Sequence, residues 1–149
     1  MKPLYIFDLD GTLANCEHRQ PILGNKDDPD RWNKFFDACV DDKPIWPVID
    51  TLQRLRASGC DVLIFSGRSD RARKQTERWL TDIGLHHIHV RMRPDGDFTA
   101  DDELKLQWLN ELTHAERRRL VAVFDDRDKV VAMWRANGVA CFQVAPGAF

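Results

Sequence analysis

The chain has 149 residues, 43% hydrophobic and 31% charged, with 22 Lys and Arg against 24 Asp and Glu for a formal net charge of -2. At about 150 residues per domain this length suits one folded unit with its own core, and the composition excludes a disordered, collagenous or coiled-coil chain. The charge balance supplies no global field toward nucleic acid or an anionic membrane, so any nucleic-acid contact is expected to be local.

No apolar run approaches the roughly 18 residues of a bilayer span, and Met1-Lys2-Pro3 enters a strand-like segment without a signal-peptide pattern. A cytoplasmic protein with no membrane partner is expected. Cys16, Cys39, Cys60 and Cys141 show no Cys-x-x-Cys spacing, so neither a disulfide framework nor a zinc site is expected.

In chain order, Leu4-Tyr5-Ile6-Phe7 is a continuous apolar run ending at Asp8, as expected of a strand buried on both faces. The polar segment 15–46, with Pro21, Gly24 and Pro29, fits no strand or helix template and reads as a small cap-like insert. It contains a short helix carrying Trp32, Phe35, Phe36 and Cys39, whose aromatic stripe is either core or a stacking platform. Val48, Ile49, Leu52 and Leu55 share a helix face ahead of Gly59. Asp61 to Phe65 is a second strand leading into Ser66-Gly67, and Ala72, Thr76, Trp79 and Ile83 mark a helix ahead of Gly84.

Ile88 to Met92 is a weaker strand, and Leu104, Trp108 and Leu112 give a third helical stripe. Leu120 to Phe124 is a strong strand running into Asp125-Asp126. Val130, Val131 and Trp134 mark a fourth helix before Asn137-Gly138, and Val139 to Val144 a last strand. Five strands alternating with four helices predict an α/β, Rossmann-like fold: a five-stranded parallel sheet flanked by helices, with strand order 3-2-1-4-5.

That order brings strands one and four together at the topological switch, where ligands bind beyond the carboxyl ends of strands. Asp8 and Asp10 follow strand one, Ser66 and Arg68 strand two, Asp125 and Asp126 strand four. Four carboxylates gathered there repel one another, since two unit charges 4 Å apart cost about 4 kcal/mol at an effective dielectric near 20. A cation relieves this, and hard oxygen donors with open positions suit Mg²⁺. Two Asp one residue apart after a buried strand suit a nucleophile that attacks phosphorus and a neighbour that moves a proton. The proton carrier needs a raised pKa, which neighbouring carboxylates are expected to supply. Lys105, in Asp101-Asp102-Glu103-Leu104-Lys105, is the candidate cation for a dianionic phosphate.

Asp8-Leu9-Asp10-Gly11-Thr12-Leu13, Ser66-Gly67-Arg68, Lys105 and Asp125-Asp126 resemble the four ordered motifs of the haloacid dehalogenase superfamily. The resemblance implies a Rossmann-like fold and a Mg²⁺ cofactor, with Asp8 as nucleophile and Asp10 as general acid and base. Thr12 and Ser66 would assist binding, and Lys105 would sit on the transferring phosphate. The metal would lie on Asp8, the Asp10 backbone carbonyl, and one or both of Asp125 and Asp126.

Within that superfamily the chain is similar to the 3′-phosphatase domain of bacteriophage polynucleotide kinase. Arg19 matches in position, Asp101 and Lys105 recur four apart, and Asp125-Asp126-Arg127 leads into Val130-Val131 and Met133-Trp134-Arg135. The end, Gln143-Val144-Ala145 before Gly147 and Phe149, is similar too. This likeness implies that Arg19, Gly67 and Arg68 bind the scissile phosphate or its neighbours while Asp101 braces a basic side chain.

No Gly-x-x-x-x-Gly-Lys-Ser/Thr loop occurs, so residues 1–149 are expected to be one phosphatase domain without a kinase domain. The expected activity is Mg²⁺-dependent removal of 3′-phosphates from DNA or RNA ends, with 2′,3′-cyclic phosphates as further substrates and a separate kinase or ligase as partner. The alternatives are a small-molecule phosphatase such as a nucleotidase, and a catalytically silent module that binds nucleic-acid ends or a partner. Arg71, Lys74 and Arg78 on the second helix and Arg117 to Arg119 are basic groups that either track a nucleic-acid backbone or are solvated. His86, His87 and His89 join no acidic cluster and are read as non-catalytic.

Overall fold

The structure, a computed structural model, describes residues 1–149. Its centre is a parallel sheet of β1 (Leu4–Phe7), β4 (Asp61–Ser69), β5 (His89–Arg93), β6 (Leu120–Asp125) and β7 (Cys141–Gln143), ordered β5-β4-β1-β6-β7. Renumbered within the sheet this is 3-2-1-4-5, as the alternation of elements predicts. β1 lies at the centre, with Phe7 level with Ile64 on one side and Phe124 on the other.

Successive residues of a strand point to opposite faces, and this divides the core in two. Ile6 joins Phe65 and Val123 under α5 (Asp101–Glu111) and α7 (Asp128–Ala136), where Leu104, Trp108, Val130 and Trp134 are buried. Its neighbour Phe7 joins Ile64 under α3 (Trp46–Ala57) and α4 (Arg73–Asp82), where Ile49, Leu52, Trp79 and Leu80 are buried. Both sheet faces are thus covered, as runs apolar on two faces require.

The insert is tied at its neck by a two-residue antiparallel ladder, β2 (Ala14–Asn15) with β3 (Lys43–Pro44). Between them lie a 3-10 turn (Glu17–Arg19), α1 (Gln20–Gly24), α2 (Arg31–Asp37) and a second 3-10 turn (Ala38–Asp41). Several local expectations shift. Trp46 opens α3 rather than closing the insert, Cys39 falls in the turn after α2, and Leu112 caps α5 from outside.

Arg71 stands in a 3-10 turn ahead of α4 and is paired with Asp37, so it does not share a helix face with Lys74 and Arg78. α6 (His114–Arg119) was not expected. Its signal is the Thr113-x-x-Glu116 capping box, in which each side chain bonds the other residue's backbone N–H. It turns Arg117 to the Asn137 carbonyl and Arg119 to Asp61. No helix is long and apolar enough to cross a membrane.

Candidate active site

Every candidate site residue lies at the carboxyl end of β1, β4 or β6, at the start of α5, or at the neck of the insert. Asp8 continues the β1 ladder by one bond, from its N–H to the Phe124 carbonyl at 2.9 Å, which fixes its side chain at the switch point. The chain then turns sharply, with the N–H groups of Thr12, Leu13 and Ala14 all donating to the Leu9 carbonyl. Gly11 makes this turn with φ +84°, and a Cβ there would lie 2.1 Å from Asp126 Oδ2. The motif needs glycine for both reasons.

In β4, Ser66 is level with Met92 and Ser69 with Arg93, so Gly67 and Arg68 form a bulge with no partners in β5. Bulges re-aim side chains, and this one turns Arg68 inward. Ser66 Oγ stabilises it by accepting the Arg68 N–H at 3.1 Å. Gly67 allows a close approach, because a Cβ there would stand 2.1 Å from Asp101 Oδ1 and the Asp101 side chain would have to move.

Two charge clusters result. In the first, Asp8, Asp125 and Asp126 offer carboxylate oxygens all within 4.8 Å of one another. Lys105, buried on α5, donates to Asp8 Oδ1 at 2.7 Å and Asp125 Oδ2 at 3.0 Å, and is itself paired with Asp101 at 3.5 Å. Thr12 Oγ1 donates to Asp8 Oδ2 at 3.0 Å. Burial and the charge of Asp125 push Asp8 well above the usual carboxylate range despite Lys105, and the same two causes push Asp126 up to about 6. Burial would pull Lys105 down, but Asp101, Asp125 and Asp8 together hold its ammonium form. Three acids against one amine, all with hard oxygen donors, is a donor set that could hold a divalent cation.

The second cluster corrects two expectations about Asp10. Its carboxylate does not join the three acids but turns to the arginines, accepting from Arg19 NH2 at 2.7 Å and from Arg68 NH2. Partial withdrawal from water would raise its pKa, yet the guanidiniums of Arg68 and then Arg19 outweigh this and hold it below the ordinary value. Neighbouring carboxylates therefore do not keep Asp10 protonated in this state.

One residue of this cluster has no place in the expected motifs. Asp42, with its side chain fully buried, takes Arg19 in a two-pronged grip, Nε to Oδ1 at 2.8 Å and NH2 to Oδ2 at 2.6 Å. It also accepts from Arg68 NH2 at 3.2 Å and pairs with His18 Nε2 at 2.7 Å. Trp79 Nε1 fixes its backbone carbonyl at 2.8 Å. A buried Arg needs a carboxylate in reach, which is a signal that one be sought near Arg19. Nothing in the spacing of Asp41-Asp42 says which of the two it is.

The crevice between the clusters and the insert is about 700 Å³, within the range of ligand sites. Carboxylates and a guanidinium at one opening, with the Lys105 ammonium buried beneath Asp8, are parts suited to bind and cleave a phosphate ester.

Comparison with known proteins places this geometry. The phosphatase domain of the polynucleotide kinase PNKP is a family whose model matches residues 2–149. A protein of Autographa californica nuclear polyhedrosis virus, provisionally named a bifunctional polynucleotide kinase/RNA ligase, is 29% identical over 130 residues, 86% of this chain and 17% of its own length. A chain in the Pnkp1/Rnl/Hen1 RNA repair complex superposes with a TM-score of 0.81 at 31% identity, over 99% of this chain and 44% of that one.

The class C acid phosphatase of Bacillus anthracis shares the fold, with a TM-score of 0.68 at 17% identity over 99% of this chain and 67% of that one. The chain thus spans less than half the length of the first two relatives. It belongs to the polynucleotide kinase PNKP phosphatase domain family, on the haloacid dehalogenase fold.

Proposed function

We propose that the chain is a Mg²⁺-dependent phosphomonoesterase that removes 3′-phosphates from DNA or RNA ends through an aspartyl-phosphate on Asp8. One observation carries this reading. A buried carboxylate flanked by two more and an ammonium faces the same crevice as a separate carboxylate gripped by two arginines.

Asp8, Asp125 and Asp126, with the Asp10 backbone carbonyl, would hold Mg²⁺, which when bound neutralises the carboxylates and draws electron density from the phosphoryl oxygens. Asp8 attacks phosphorus, forming an O–P bond as the bond to the leaving oxygen breaks. Lys105 offsets the charge that Asp8 and the phosphoryl oxygens bring together, Asp101 positions Lys105, and Thr12 orients Asp8. Arg19 and Arg68 take the phosphate and in doing so release Asp10. Freed from the guanidiniums, Asp10 keeps only the burial that raises its pKa, takes up a proton from solvent, and gives it to the leaving oxygen; it later takes one from the water that opens the aspartyl-phosphate, freeing inorganic phosphate. Ser66 and Gly67 hold the bulge that aims Arg68.

Residues 1–149 act in this reading as one phosphatase unit with 15–46 as a small cap. A kinase or ligase working beside it is supported by the company its relatives keep: kinase and RNA ligase in the viral protein's name, Rnl in the repair complex. Initial rates on a 3′-phosphorylated oligonucleotide, its 2′,3′-cyclic form, and nucleoside 3′- and 5′-monophosphates, with Mg²⁺ or chelator, test the proposal. The oligonucleotide is expected to be preferred, with turnover lost in chelator, and equal rates on the mononucleotides would sink the polynucleotide assignment. A nucleotidase is the second reading. The observation that favours it is the acidic rim of Asp95, Asp97 and Asp102, which repels a long polyanion.

A further inference from the structure

Around the crevice all but one of the cations are already engaged. Of the four basic side chains lining it, Arg68 is bound to Asp10 and Asp42, Arg93 donates to the carbonyls of Gly67, Asp97 and Thr99, and Arg127 donates to the Phe149 carbonyl. Lys129 alone has no partner. Seven aspartates line the same opening. A nucleic-acid backbone tracked by counterion release needs a row of free Lys or Arg, and this rim has none.

What the rim offers instead is unburied aromatic surface. Phe98 is 86% exposed although its loop is firmly held. Arg93 grips the Asp97 and Thr99 carbonyls, Thr99 bonds Asp97 Oδ1 through both N–H and hydroxyl, and Ser69 bonds Asp95 at 2.9 Å. A pinned loop that holds a phenyl ring out of the core, beside a catalytic opening, is pre-organised for a flat apolar ligand. From the insert, Trp32 lines the same crevice with 44% of its surface exposed. Its ring is buttressed edge-on by buried Phe35 and tilted against Phe36.

We infer that Trp32 and Phe98 form a stacking platform for the terminal nucleobases of the 3′-phosphorylated end, so that the end is recognised by its last bases and not by its backbone. This rests on the polynucleotide reading above and adds to it a specificity device. It also explains how an acidic rim and a polyanionic substrate coexist: only the last nucleotides enter, held by rings that carry no charge. Base stacking on an aromatic side chain is worth roughly tenfold in affinity per base.

The test uses three substrates: a 3′-phosphorylated hexanucleotide, the same oligonucleotide abasic at its two terminal nucleotides, and nitrophenyl phosphate. Phe98→Ala and Trp32→Ala are each expected to raise KM for the intact hexanucleotide about tenfold with kcat unchanged. The abasic substrate is expected to be about tenfold or more weaker with the parent chain and no weaker still with either variant. Nitrophenyl phosphate kinetics reports folding, and Phe98 has no packing to lose, so one variant is free of that concern.

The platform is overturned if both variants bind the intact hexanucleotide like the parent, or if they weaken the abasic oligonucleotide equally. A parent chain that prefers the hexanucleotide while the variants are silent removes the platform and leaves the polynucleotide reading standing. A parent chain that hydrolyses a nucleoside 3′-monophosphate as fast as the hexanucleotide removes both.

Discussion

Asp42→Asn keeps the size of the side chain and removes one charge from a buried quartet of two guanidiniums and two carboxylates. Attractions to Arg19 and Arg68 are lost and the repulsion from Asp10 is relieved, so the net change is about one ion pair. At about 4 Å and an effective dielectric near 20 that is about 4 kcal/mol, within the range of roughly 3–5 kcal/mol for breaking a buried pair. The Asn oxygen still accepts one bond from Arg19, which brings the expected loss to about 3 kcal/mol. At this chain length that lowers the melting temperature by roughly 6–12 °C.

The backbone anchor from Trp79 Nε1 to the Asp42 carbonyl remains, so the fold is expected to persist. Urea unfolding is the assay, with a lower midpoint at unchanged slope as the result. The kinetic companion is a raised KM for 3′-phosphorylated ends, because Arg19 loses its two-pronged hold. A midpoint and KM both equal to those of the parent chain would refute the claim that Asp42 organises the arginines.

The remaining predictions concern the acids and the first turn. Asp8→Asn is expected to cost turnover on the order of 10³-fold or more with the fold retained, while Asp10→Asn costs more for an alkyl leaving group than for nitrophenol. Equal losses for the two leaving groups would contradict the proton-transfer role. Gly11→Ala places a methyl against Asp126 at φ +84°, a strain of about 1–2 kcal/mol before any clash, and should weaken Mg²⁺ activation measured by titrating the metal.

In chelator, folded Asp126 keeps its proton up to about pH 6 whereas the unfolded carboxyl releases it near 3.8, so stability falls as pH rises through that window. About 2 pH units correspond to roughly 3 kcal/mol, and saturating Mg²⁺ should abolish the fall. A flat profile in chelator contradicts the crowding of the three acids.

The sheet and its order were legible because each strand is a short run that must be buried on both faces and ends in polar residues, a pattern that leaves few ways to stack. Asp8, Asp125 and Asp126 were legible for the same reason, since topology alone carries strand ends to one place, whereas Lys105, on α5, was legible only from the charge a phosphate needs and from the order of the motifs. Asp10 shows where that logic stops. Its position two residues after Asp8 put it at the switch, but the direction of its side chain depends on Arg19 and Arg68, whose own directions depend on Asp42 and on the bulge at Gly67.

That chain of dependence runs through the insert, where 3-10 turns and a two-residue ladder replace periodic patterns and no spacing rule ties a residue to a face. The same irregular segment contributes Arg19, Asp42 and Trp32. Substrate choice can therefore change there without disturbing the acids beneath, whose arrangement is set by the buried strands.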